Sequence, residues 1–139
     1  MVPFLFGKKT QKVNVLTKKH ILIIDDDKSI LRTMALAFEN NDFHVDTAET
    51  GAEAIELSHR EHYDAVVLDL KLPDMEGTEV LSKTSFPGSI KIMLTGYPSF
   101  VSSLEAVNHG IDAYLRKPVS PEELVGLVNA KINDKTLGR

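Results

Sequence analysis

From His20 to Asp134 the chain alternates short apolar runs with stretches of helical period, and no apolar run exceeds about six residues. The runs HILII (20–24), FHVDTA (43–48), YDAVVLD (63–69), SIKIMLT (89–95) and IDAYLRK (111–117) have the length of strands. Between and after them lie KSILRTMALAFENN (28–41), GAEAIELSHRE (51–61), MEGTEVLSKTS (75–85), SFVSSLEAVNHG (99–110) and SPEELVGLVNAKIND (120–134), each with helical apolar spacing or end signals. Asp27 suits the N-cap of the first helix. Gly110 suits the position just past the fourth. Ser120, Pro121 and Glu123 read as a capping box with proline at N1. Strand and helix in strict alternation mean an α/β domain with a mostly parallel sheet. The first and third runs are continuously apolar, as central strands are. The second and fifth carry His44, Asp46, Asp112 and Arg116 and suit the edges. With right-handed crossovers, this favours a doubly wound five-stranded sheet of order 2-1-3-4-5.

The ends of those runs carry the chemistry. The first runs into Asp25, Asp26 and Asp27, the third ends in Asp69, the fourth in Thr95 and the fifth in Lys117. The ligand crevice of an open parallel sheet lies beyond the carboxyl ends of its strands. An aspartate after a strand is by itself more often a turn or cap residue. Reactive groups at four separate strand ends are harder to ascribe to chance. Two carboxylates about 4 Å apart repel by roughly 4 kcal/mol at an effective dielectric of 20. Three carboxylates facing one lysine leave a charge near −2, which a hard divalent cation with oxygen ligands neutralises. Mg²⁺ fits this donor set, with Mn²⁺ as a substitute. Asp69 is then the candidate nucleophile for phosphoryl transfer, with Lys117 and Thr95 holding phosphoryl oxygens.

The stretches IIDDD, VVLDLKLPDMEG, MLTGY and YLRKP resemble, in order and spacing, the response regulator receiver domain of two-component signalling, over roughly residues 20–132. The resemblance implies the flavodoxin-like three-layer sandwich of chemotaxis-type receivers. It implies Asp69 as phosphoacceptor from a histidine kinase. It implies Asp25 and Asp26 as the acidic pair, Asp26 the more direct metal ligand, and the Lys71 backbone carbonyl as a further ligand. Thr95 corresponds to the switch hydroxyl, Tyr114 to the switch aromatic and Lys117 to the conserved lysine. Asp27 falls to capping. A cis Lys117-Pro118 peptide is also implied. Gly96 stands where the family commonly has alanine, and Lys71 and Tyr97 occupy positions at which the family varies. The implied function is a phosphoacceptor switch that catalyses only its own phosphorylation and dephosphorylation. Its output face is helix 4, strand 5 and helix 5, residues 98–130. Partners are a sensor kinase or phosphotransfer protein upstream, and a downstream protein or second copy. On the fourth helix, Leu104 and Val107 are expected to face the sheet, Phe100 to share that face or its margin, and Val101 to be exposed.

Charge and composition exclude several alternatives. Five of the 16 basic residues lie in residues 1–19 with no acid, so the remainder carries eleven against 20 acidic residues, a balance of −9. Such a body argues against direct nucleic-acid binding. The domain organisation expected is a basic, solvated arm at 1–19, a receiver at 20–132 and a tail at 133–139. Without cysteine there is no disulfide or thiolate metal site. No stretch has the length of a membrane span and MVPFLF is a poor signal peptide, so a cytoplasmic location is expected. The chain ends at Arg139, which leaves either a stand-alone receiver or a fragment of a longer one. The competing reading is a Mg²⁺-dependent phosphatase of haloacid-dehalogenase type. DDDKS contains that class's D-x-D spacing, with Asp25 as nucleophile, but this leaves Asp69 without a role.

Overall fold

The structure, a computed structural model, describes residues 18–138. Most of the expected basic arm, residues 1–17, lies outside the described residues. Five strands, β1 (Lys19–Ile24), β2 (Phe43–Ala48), β3 (Ala65–Asp69), β4 (Ile90–Thr95) and β5 (Ala113–Arg116), alternate with five helices. The helices are α1 (Lys28–Glu39), α2 (Gly51–Arg60), α3 (Gly77–Lys83), α4 (Phe100–Asn108) and α5 (Pro121–Thr136). The strands are all parallel, in the order β2-β1-β3-β4-β5. The α5 helix continues to Thr136, past the point where a tail was expected.

Strand alternation sends successive side chains to opposite faces and so builds two cores. Ile21, Ile23, Val67, Ile92 and Leu94 pack against Leu31, Met34 and Phe38 of α1 and Leu124, Val128 and Ile132 of α5. Leu22, Ile24, Val66, Leu68 and Met93 pack against Ala54 of α2, Val80 and Leu81 of α3, and Ala106 of α4. All five residues of β3 are buried, as its unbroken apolar run requires.

The helix ends follow the sequence signals, with two differences. Asp27 caps α1, accepting from Ser29 N and Ile30 N. Gly110 follows α4 with φ 77°, a left-handed conformation that costs glycine little. At α5 only half of the expected capping box forms: Ser120 accepts from Glu123 N, with no reciprocal bond from the Glu123 side chain. The reciprocal box is at α4 instead, between Ser99 and Ser102.

The orientation of α4 corrects the expectation. Leu104 and Val107 do not face the sheet: they are 48% and 67% exposed, beside Phe100 at 77% and Val101 at 65%. Ala106 is the helix's one buried residue. Ser102, which meets the Tyr114 hydroxyl of β5, and the buried Ala106, one helical turn on, take the inner side of the helix, and its large apolar residues turn outward.

Candidate functional site

The strand ends converge as the sequence pattern implied. Asp25 follows β1, Asp69 ends β3, Thr95 ends β4, and Lys117 follows β5. The Lys117 ammonium bridges two of them, donating to Asp25 Oδ2 at 2.7 Å and to Asp69 Oδ2 at 3.1 Å. Asp25, Asp69 and Thr95 are buried, while Asp26 is exposed. Carboxylate oxygens of Asp25, Asp26 and Asp69 all lie within 4.8 Å of one another.

Local backbone geometry aims these groups. The Asp27 N–H donates to Asp25 Oδ1 at 2.9 Å, and the Lys71 N–H to Asp69 Oδ1 at 3.2 Å. Each carboxylate therefore has one oxygen held by the turn after its strand and the other by Lys117. The Lys71 carbonyl accepts no backbone hydrogen bond among the described residues. Its side chain pairs with Glu76 at the surface. The Tyr97 N–H donates to Thr95 Oγ1 at 3.1 Å, which leaves the Thr95 hydroxyl proton free to be donated elsewhere. The Lys117-Pro118 peptide is cis, as the resemblance implies. A Cβ added at Gly96 would meet nothing within 4 Å, so the alanine common at this place would fit as well.

The titration behaviour reflects unequal sharing of one cation. Burial lifts the Asp69 carboxyl above the ordinary carboxylate range, and the Asp25 charge adds to this; the Lys117 ammonium and the Lys71 N–H only partly offset it. For Lys117, burial disfavours the charge, but Asp25 and Asp69 together outweigh it and raise its pKa. Lys117 has two partners, whereas Asp69 has a share in one.

Three carboxylates and one ammonium leave an excess of about two negative charges. The donor atoms are hard oxygens, close together, at the open end of the sheet. That set fits Mg²⁺ or Mn²⁺, with Asp25, Asp26 and Asp69 as the side chains that would hold it.

Two supporting residues lie within the stretch VVLDLKLPDMEG, which by itself gives neither of them a role. A Cβ at Gly77 would lie 2.6 Å from the Asp69 carbonyl oxygen, so only glycine lets the start of α3 approach the end of β3. Asp74 reaches across to cap α2, accepting from Gly51 N at 2.8 Å and Ala52 N at 2.9 Å. Those bonds to its ionised form hold its pKa below the usual value.

A doubly wound sheet with acids, a hydroxyl and a lysine at four strand ends defines the class: a phosphoryl-receiving switch. Comparison with known proteins agrees. The response regulator receiver domain profile matches residues 21–129, and the chain belongs to that family. A CheY-like receiver domain protein from Methanospirillum hungatei superposes with a TM-score of 0.84 at 38% identity, covering 88% of this chain and 100% of that one. A Burkholderia pseudomallei response regulator, solved with a phosphorylated aspartic acid, calcium ion and citrate, gives a TM-score of 0.75 at 27% identity, covering 86% of this chain and 72% of that one. The cell cycle response regulator CtrA of Brucella ovis is 34% identical over 113 residues, 79% of this chain and 48% of that protein. The transcriptional regulatory protein GlrR of Escherichia coli is matched over 24% of its length, so the chain spans a quarter to a half of these curated relatives. Family membership leaves the phosphatase reading unsupported.

Proposed function

We propose that Asp69 is the phosphoacceptor and that this receiver's chemistry is confined to its own phosphorylation and dephosphorylation. The observation that carries the assignment is the Lys117 ammonium bridging Asp25 and Asp69. Asp69 is the member of the acidic cluster that ends the central, fully buried strand. An Asp69 oxygen attacks the phosphorus of a phosphohistidine on a sensor kinase or phosphotransfer protein. The P–O bond forms as the P–N bond breaks, and the imidazole leaves. Lys117 exchanges its contact with Asp69 for one with a phosphoryl oxygen, and the Thr95 hydroxyl donates to another. A divalent cation held by Asp25, Asp26, Asp69 and the Lys71 carbonyl would offset the repulsion between acidic cluster and phosphoryl group.

Tyr114, on the strand beside Thr95, then shifts inward and alters the face formed by α4, β5 and α5. The exposed Phe100, Val101, Leu104 and Val107 make that face, within residues 98–130, the surface for a downstream protein or a second copy. The acidic body assigns DNA contact, where a longer chain makes it, to another domain. Among the described residues no helix is long and apolar enough to cross a membrane, and we place the domain in the cytoplasm with its kinase partner's catalytic core. A small phosphodonor with the divalent cation should add one phosphoryl group by intact mass, and Asp69→Asn should abolish it. Labelling that survives in Asp69→Asn and disappears in Asp25→Asn would overturn the assignment.

A further inference from the structure

We propose that Ser102 is a positioning residue: it holds the Tyr114 hydroxyl to the first turn of α4 and so sets how readily the switch moves. The trigger for its release rests on the Asp69 reading, whereas the contact itself belongs to the resting protein. Ser102 Oγ lies 2.5 Å from the Tyr114 hydroxyl, across from β5. The same oxygen accepts from Ser99 N at 3.2 Å, and Ser99 Oγ in turn accepts from Ser102 N at 3.0 Å. A serine hydroxyl offers one proton and two lone pairs. Ser102 Oγ also lies 2.9 Å from Ser99 Oγ, which donates to it, and 3.2 Å from the Ser99 carbonyl, and in the Ser102–Tyr114 pair either hydroxyl can donate. Tyr114 is thus fastened to the hydrogen bonds that start the helix.

Two features make the fastening consequential. Ala106 is the one residue α4 buries, so little apolar contact holds this helix to the body. Tyr114 pairs in register with Met93, two residues before Thr95, and alternation puts all three side chains on one face of the sheet. A Tyr114 drawn toward Thr95 gives up Ser102. The first turn of α4 then loses its tie to β5, and the apolar ridge of Phe100, Val101, Leu104 and Val107 is free to reorient. Because breaking the Ser102 contact opposes the active state, its removal favours that state.

The test uses the full 139-residue chain and beryllofluoride with Mg²⁺ as a stable phosphoryl substitute. Backbone amide exchange of Ser102 and Ser103 is followed by NMR. Tyr114→Phe, which keeps the capping box, should speed exchange about five-fold, the worth of one ordinary hydrogen bond. The same change in a Ser102→Ala background should add nothing, since its partner is gone. Ser102→Ala should bind beryllofluoride about five-fold more tightly, and Ser102→Thr, which keeps the hydroxyl, should restore the wild-type value. Tyr114→Phe exchange equal to wild type, an undiminished effect in the Ser102→Ala background, or unchanged beryllofluoride affinity would each overturn the proposal. A wild-type protein that ignores beryllofluoride would count against Asp69 instead, and the resting-state cycle would still decide the Ser102–Tyr114 tie.

Discussion

Replacing Asp26 with asparagine should stabilise the metal-free protein and abolish most of its stabilisation by Mg²⁺. Asp26 is the exposed member of the acidic cluster, with oxygens within 4.8 Å of both buried partners. At that separation each like-charge pair costs about 1 kcal/mol with water-like screening, and more where the site is drier. Removing the Asp26 charge relieves two such repulsions and forfeits about one comparable attraction to Lys117. The net gain is about 1 kcal/mol, or about 3–5 °C in the unfolding midpoint for a domain of this size. Added Mg²⁺ acts in the opposite sense: at ten times its Kd it stabilises the parent by about 1.4 kcal/mol, because it binds only the folded state. The two unfolding curves should therefore cross as Mg²⁺ rises, with Asp26→Asn ahead at zero and the parent ahead at saturation. Thermal denaturation over a Mg²⁺ series at constant ionic strength reads this out. A metal-free Asp26→Asn protein less stable than its parent would refute the claim that repulsion dominates the cluster. Equal Mg²⁺ stabilisation of both proteins would remove Asp26 from the ligand set.

Gly77→Ala should cost about 1–3 kcal/mol, as overpacking does, because its Cβ would press on the Asp69 carbonyl at 2.6 Å. It should also slow labelling by a small phosphodonor at least ~10-fold, as a misplaced reacting group does; normal labelling would show that the approach of α3 does not position Asp69. For Asp74, the lowered folded-state pKa means its contribution is present above the unfolded value and lost as pH falls through the folded one. Asp74→Ala should accordingly be less stable than wild type at neutral pH, with the gap closing below the unfolded value of ~3.9; a gap independent of pH would refute the capping role of the charge. Phe100→Ser with Val101→Ser should change monomer stability by less than about 0.5 kcal/mol, as exposed positions do, while weakening phosphorylation-dependent association. Unchanged association, with phosphorylation and fold intact, would remove both residues from the contact surface.

The strands and the converging site were legible because both depend on position along the chain. Burial on two faces forces β1 and β3 to be apolar throughout, and the point where the apolar run stops marks the open end of the sheet. The places of Asp25, Asp69, Thr95 and Lys117 at strand ends therefore suffice to bring them together. Asp74 and Gly77 were not legible in this way, because each acts across a gap between elements. Asp74 caps a helix 22 and 23 residues earlier, and the need for glycine at 77 exists only because the Asp69 carbonyl lies beside it. The α4 helix shows a different limit. Helical periodicity finds the side on which large apolar residues gather, and a buried side is the usual outcome. Ser102 and Ala106 reverse it: small residues take the sheet side, and Phe100, Val101, Leu104 and Val107 turn outward. A helix that has enough apolar residues for two faces, yet buries only its small ones, leaves a ridge that water does not favour. That ridge belongs to the helix with the least burial, tied to β5 by a hydroxyl contact next to the Thr95 strand. Such a helix can change its seat without unfolding the core, which a helix anchored by Leu104 and Val107 could not do.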